Sequence, residues 1–165
     1  MIKQKIAQLK HVIDSQGFEK HDKRFHRHCK GINSYLVDYS ELLVDKPTSL
    51  PDDKYRDDWQ RMYRYFSESL KEVQENQSSR RLILLNTNNY LVNYQCFQLM
   101  QFVIRADGNY DAIIYQRSAD LLNKVENDIK FFLYICDKFE KKSYGKISTL
   151  RVMYGNLHYV VKNGD

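Results

Sequence analysis

Apolar residues recur at helical spacing in three stretches of the chain. Ile2, Ile6, Leu9 and Ile13 fall on one face of residues 2–15, which predicts an amphipathic helix. A longer helix is predicted over about 53–76, where Trp59, Met62, Tyr63, Phe66, Leu70 and Val73 form an apolar stripe. The third spans 125–141 through Val125, Ile129, Phe132, Leu133, Cys136 and Phe139, with Gly145 beyond it where a C-cap glycine belongs.

Between these helices the pattern changes. Leu82–Leu85 is a short apolar run that reads as a buried strand. Cys96–Ile104 and Tyr110–Tyr115 flank an Asp107-Gly108 turn and predict a hairpin. Ile147–Met153 and Leu157–Val161 read as two short closing strands. Residues 17–33 are basic and His-rich and read as a solvated loop. Residues 34–54 look irregular, with a short strand or helix near Tyr35–Val44, and Pro47 and Pro51 mark a connection. The expected architecture is one α+β domain over 1–165, with helices packed against a mixed or mostly antiparallel sheet.

Composition narrows the functional classes. A chain of 165 residues buries a core without disulfide staples, and only six glycines and two prolines argue against disorder. No apolar stretch approaches the ~20 residues of a membrane span. The charged start is unlike a signal peptide. Three cysteines, at 29, 96 and 136, form no CxxC pair, so a reducing, cytoplasmic setting is expected. The net charge of +5 suits an anionic partner without demanding one. His21, His26, His28 and Cys29 match no standard zinc spacing. A nucleic-acid backbone against Lys23, Arg24, Arg27 and Lys30 is a weaker alternative to a solvated loop.

One stretch is more specific. Tyr115-Gln116-Arg117-Ser118-Ala119-Asp120 resembles the YQRS-x-D signature of thymidylate synthases, and Gln101-Phe102 with Asp107-Gly108 resembles the hairpin before it. Ser79-Arg80-Arg81 ahead of an apolar run looks like the family's SRR motif, and Gly155-Asn156-Leu157-His158 like its glycine turn and ribose-binding histidine. The resemblance to the thymidylate synthase and pyrimidine hydroxymethylase family covers about 78–161, and residues 1–77 do not align.

The resemblance implies a pyrimidine nucleoside monophosphate as substrate, 5,10-methylenetetrahydrofolate as one-carbon donor, and a homodimer with shared sites. It makes Cys96 the nucleophile that adds to the ring at C6 and activates C5. Arg117 becomes the adjacent cation and a phosphate ligand, and Ser118 another phosphate ligand. Arg80 and Arg81 would reach the phosphate of the partner's site. Gln116 belongs to the same substrate-binding signature. Asp120 would help hold the pyrimidine and the folate, although the bare sequence also reads it as a cap for residues 121–124. His158 would contact the ribose. The base-reading position falls on Asn127 or Asp128, depending on register. An acid at 128 matches cytosine, because it accepts from the exocyclic amine and, when protonated, donates to N3. This favours hydroxymethylation of deoxycytidylate over methylation of deoxyuridylate.

Several positions depart from the family pattern. Phe97 follows the cysteine instead of histidine, and Asn93-Tyr94-Gln95 replaces a proline-rich approach. Lys124 replaces a glycine of the folate pocket, and Val160 stands where a sugar-binding tyrosine is expected. Only Glu41 and Glu68 lie upstream as candidates for the proton-transfer glutamate. These departures suit a second reading, a catalytically inactive nucleotide-binding homologue.

Overall fold

A computed structural model of the chain describes residues 1–22, 27–75, 81–86, 96–142 and 145–161. The elements in order are α1 (Ile2–Gln16), β1 (Phe18–Asp22), β2 (Arg27–Asp38), a 3-10 turn (Ser40–Val44), α2 (Arg56–Glu75), β3 (Arg81–Asn86), β4 (Phe97–Ile104), β5 (Tyr110–Gln116), β6 (Ala119–Asp120), α3 (Val125–Lys142) and β7 (Ile147–Val160). The fold is α+β. One mixed sheet runs β1-β2-β7-β5-β4-β3, and the short β6 lies beside β7. β5 and β6 are parallel to β7, and the remaining pairs are antiparallel.

Alternation decides which face is covered. Met100 and Phe102 of β4, Ala112 and Ile114 of β5, and Leu150 and Val152 of β7 are fully buried on one face. The helices pack there. Phe102 stacks on Phe139 of α3 with ring centroids 4.0 Å apart and leans on Phe66 of α2 at 6.4 Å. α3 is buried around most of its girth, Phe131, Tyr134 and Ile135 included, as a helix central to a core must be. α1 contributes Leu9 and Ile13. The opposite face of the sheet leaves Leu36, Ile113 and Tyr115 exposed.

The structure corrects several sequence expectations. Residues 17–33 are not a loop, because β1 and the first part of β2 pair there as a hairpin, from Phe18↔Gly31 to Asp22↔Arg27. The two closing strands are one strand of 14 residues, β7. Its Gly155-Asn156 step is no turn. Gly155 passes so close to the main chain after β5 that a Cβ would stand 2.7 Å from Arg117 O. Gly145 is not a left-handed cap either, since Gly108 is the one described glycine with positive φ. A Cβ at Gly145 would meet Gly108 O at 2.4 Å, so close packing on the β4–β5 turn calls for glycine there.

The sheet is creased along one line. Register shifts at Gln98 in β4, and β5 ends at Gln116. Buried positions in β7 change from Leu150, Val152 and Tyr154 to Leu157 and Tyr159, and Ser34 of β2 has φ 50. Cross-strand partners place these irregularities side by side, because Phe97 faces Gln116, Gln116 faces Tyr154, and Tyr154 faces Tyr35. Bulges of this kind re-aim side chains, and the residues of interest lie along the crease.

Candidate functional site

Cys96 precedes β4 and Arg117 follows β5, so strand pairing brings them together. The Arg117 N–H donates to the Cys96 carbonyl at 2.5 Å. Cys96 is half-buried and Arg117 is exposed. One residue back, Gln116 points into the core and is 1% exposed. Its Nε2 donates to Asp128 Oδ2 at 2.6 Å, while its Oε1 is buried without a partner among the described residues.

Asp128 comes from the first turn of α3 and is 2% exposed. Burial pushes its carboxyl up to about 6, against the opposing pull of Lys124 and the Gln116 hydrogen bond. Desolvation disfavours the charged form of an acid. Trp59, Met62, Phe97 and Phe132 help line a cavity of about 30 Å³ beside the Gln116–Asp128 pair, and half-buried Tyr55, Asp58 and Lys124 complete its wall. The Lys124 ammonium sits 5.0 Å from the centroid of the Tyr55 ring. This volume suits a water molecule and not a ring.

The neighbouring Asn127 points elsewhere. Its Nδ2 donates to Asp53 Oδ2 at 2.8 Å, and Asp53 Oδ1 accepts from Trp59 Nε1 at 2.9 Å. Thus Asp128 lines the cavity, whereas Asn127 ties α3 to the approach of α2. Asp120 behaves as a cap. Its Oδ1 accepts from the N–H groups of Leu122 and Asn123 at 3.2 Å, and its Oδ2 from the Asn123 side chain at 2.8 Å.

Ser118 and His158 meet in a second, larger cleft. It measures about 530 Å³ and is also lined by Lys20, Cys29, Asn33 and Asn156. β6 carries the chain past β7 with Asp120 paired to His158. Burial holds His158 below its ordinary pKa, and its Nδ1 is buried without a partner among the described residues. Tyr159 faces the other way and hydrogen-bonds Asp14 of α1, so it does not share the cleft with His158. Lys20 and Cys29 come from the basic segment that the sequence alone presents as a loop. Only their pairing across β1 and β2 reveals a shared face.

The remaining predicted residues are dispersed or undescribed. The Arg81 backbone lies on β3, separated from β5 by β4. Arg24, His26, Ser79, Arg80 and residues 93–95 lie outside the described residues. Glu41 pairs with Lys5 at 2.7 Å, and neither Glu41 nor Glu68 lines the two cavities. Among the described residues no cluster of His, Cys, Asp or Glu is placed to hold a metal, and no helix is long and apolar enough to cross a membrane.

Fold and site together define an α+β protein with a buried acid–amide pair and a polar cleft on either side of residue 117. No model of a known protein family matches the chain, and no curated protein matches it in sequence.

Proposed function

We propose that this protein binds a pyrimidine nucleoside monophosphate and adds the Cys96 thiolate to its ring at C6, the step that prepares C5 for one-carbon transfer. One observation carries the reading: Gln116 and Ser118 line different cavities, one holding a buried carboxyl and the other a cluster of polar groups. Residues two apart are separated by at most ~7 Å, about the distance from a pyrimidine ring to its 5′-phosphate. On this reading the signature that resembles thymidylate synthases meets the ring with Gln116 and the sugar-phosphate with Ser118, and the main-chain carbonyl of Cys96 accepts from the N–H of the residue between them.

Asp128 is the base reader in this scheme. A carboxyl already lifted to about 6 needs only about 1.4 kcal/mol to protonate at pH 7. The protonated acid donates to the bare N3 of cytosine and accepts from its amine, so deoxycytidylate is the favoured substrate. Addition of Sγ to C6 breaks the C5–C6 double bond and leaves C5 carbanionic. Protonation at C5, loss of the original hydrogen and expulsion of the thiolate then restore the ring. Binding of a ring beside Asp128 requires the Tyr55–Lys124 contact to give way, because the cavity there holds only about 30 Å³.

Methylenetetrahydrofolate is the donor that the resemblance implies, and the residues in hand do not fit it. Lys124 stands where the family has a pocket glycine, and its ammonium lies over the Tyr55 ring. The homodimer is proposed through the outer sheet face, where Leu36, Met153, Tyr115 and Leu99 form one row across four strands. The Asp38–Arg151 ion pair on the next row gives a two-fold contact complementary charges.

C5-tritiated deoxycytidylate and deoxyuridylate, incubated with the protein without any donor, test the reading. Tritium release that vanishes in Cys96→Ala supports covalent addition. Binding with no release would leave the second reading, a nucleotide-binding homologue without turnover, which the 30 Å³ volume beside Asp128 favours.

A further inference from the structure

We propose that the cleft at Ser118 and His158 is an anion site whose cation is Lys20 of the β1–β2 hairpin, so that one protomer holds a phosphate without help from a second. The charge balance of its lining points this way. Among the residues lining the cleft, Lys20 carries a full positive charge and none is a carboxylate. Ser118, Asn33 and Asn156 add hydroxyl and amide groups, and the two amides bond each other at 2.9 Å. His158 adds an imidazole that burial keeps toward its neutral form.

The hairpin builds this arrangement in three steps. Lys20 and Cys29 are direct partners across the ladder, so their side chains share a face. Two residues further along β2, Gly31 stands opposite His158, and a Cβ there would lie 2.9 Å from His158 Cβ. The missing side chain lets the histidine rise beside the hairpin. The other described lysine of this hairpin is already engaged, because Lys30 pairs with Glu19 at 3.0 Å. Lys20 has no ion-pair partner among the described residues and is exposed. An anion in the cleft meets an available ammonium, a hydroxyl and amide groups, and charge-assisted hydrogen bonds of this kind are the strong ones. That the anion is the 5′-phosphate of a nucleotide rests on the function proposed above.

Calorimetric titration with inorganic phosphate, deoxycytidylate and deoxycytidine tests this on the full chain. Lys20→Ala is expected to weaken phosphate and deoxycytidylate about tenfold or more and to leave deoxycytidine unchanged. Lys20→Arg should restore most of the loss. Lys30→Ala removes the same charge from the same hairpin and should change phosphate binding less than threefold. Phosphate binding that is indifferent to Lys20, or absent from the wild type, overturns the anion site. Phosphate binding through Lys20 with no added affinity for deoxycytidylate upholds the cleft and refutes the nucleotide reading. Nucleotide binding and C5 release that ignore Lys20 do the reverse.

Discussion

Replacing Asp128 by asparagine is expected to stabilise the protein at neutral pH and leave it unchanged in acid. The carboxyl is almost completely enclosed, and burial raises it from the ordinary 3.8 to about 6. The folded state thus holds this proton more tightly than the unfolded chain. Well below pH 4 both states carry it and nothing differs. As pH rises from about 4 to 6 the unfolded chain ionises while the folded state keeps the proton, so stability falls and then levels off once both forms are charged. At 1.36 kcal/mol per pH unit the full loss is about 3 kcal/mol. An amide never ionises, keeps an acceptor for Gln116 Nε2, and can donate to the orphaned Gln116 Oε1. Urea denaturation followed by circular dichroism from pH 4 to 7.5 gives the measurement. The variant should match the wild type near pH 4 and exceed it by up to about 3 kcal/mol at 7.5. A constant difference across the range, or a variant that weakens as pH rises, would refute the assignment of this pH dependence to residue 128.

Other outcomes follow from the same geometry. Deoxycytidylate affinity should fall as pH rises above 6, while deoxyuridylate affinity stays flat and Asp128→Asn removes the contrast, all readable by titration. Gly155→Ala should cost about 1–3 kcal/mol, because its methyl meets a main-chain oxygen; equal denaturation midpoints would contradict the packing of β7 on residue 117. Phe102→Ala removes the ring stacked on Phe139, and about 3–5 kcal/mol of stability should go with it in denaturant melts. Tyr159→Phe loses the hydrogen bond to Asp14, and amide exchange should speed in α1 with a global loss of about 1 kcal/mol.

Periodicity made the three helices and the β4–β5 hairpin legible, because each keeps a full apolar face against the core. The β1–β2 hairpin was not legible for a physical reason. Only Gly31 and Val37 are buried along β2, so its strand pattern carries almost no hydrophobic alternation. Gly155-Asn156 misled in the opposite way, since a glycine required by a neighbouring backbone looks in sequence like one required by a turn. Within the site, Gln116 and Asp128 were found through the resemblance, and the 2.6 Å bond between them selects Asp128 over Asn127 as the cavity-lining residue. Lys20 had no signal of its own, because its significance arises only when β1 pairs with β2 and β2 with β7.

The pairing of β2 with β7 sets a timetable for synthesis. Asp38 contacts Arg151, 113 positions later, and the ladder runs from there to Cys29↔Val160. At ordinary rates of roughly 5–20 residues per second, β2 waits on the order of 6–20 s after emerging before its partner is made. During that interval a nascent chain exposes β2 along one edge, guarded mainly by Arg27, His28 and Lys30. A ribosome-bound chain arrested before residue 147 should therefore be the form most dependent on chaperones, and release of the final strand should close the fold.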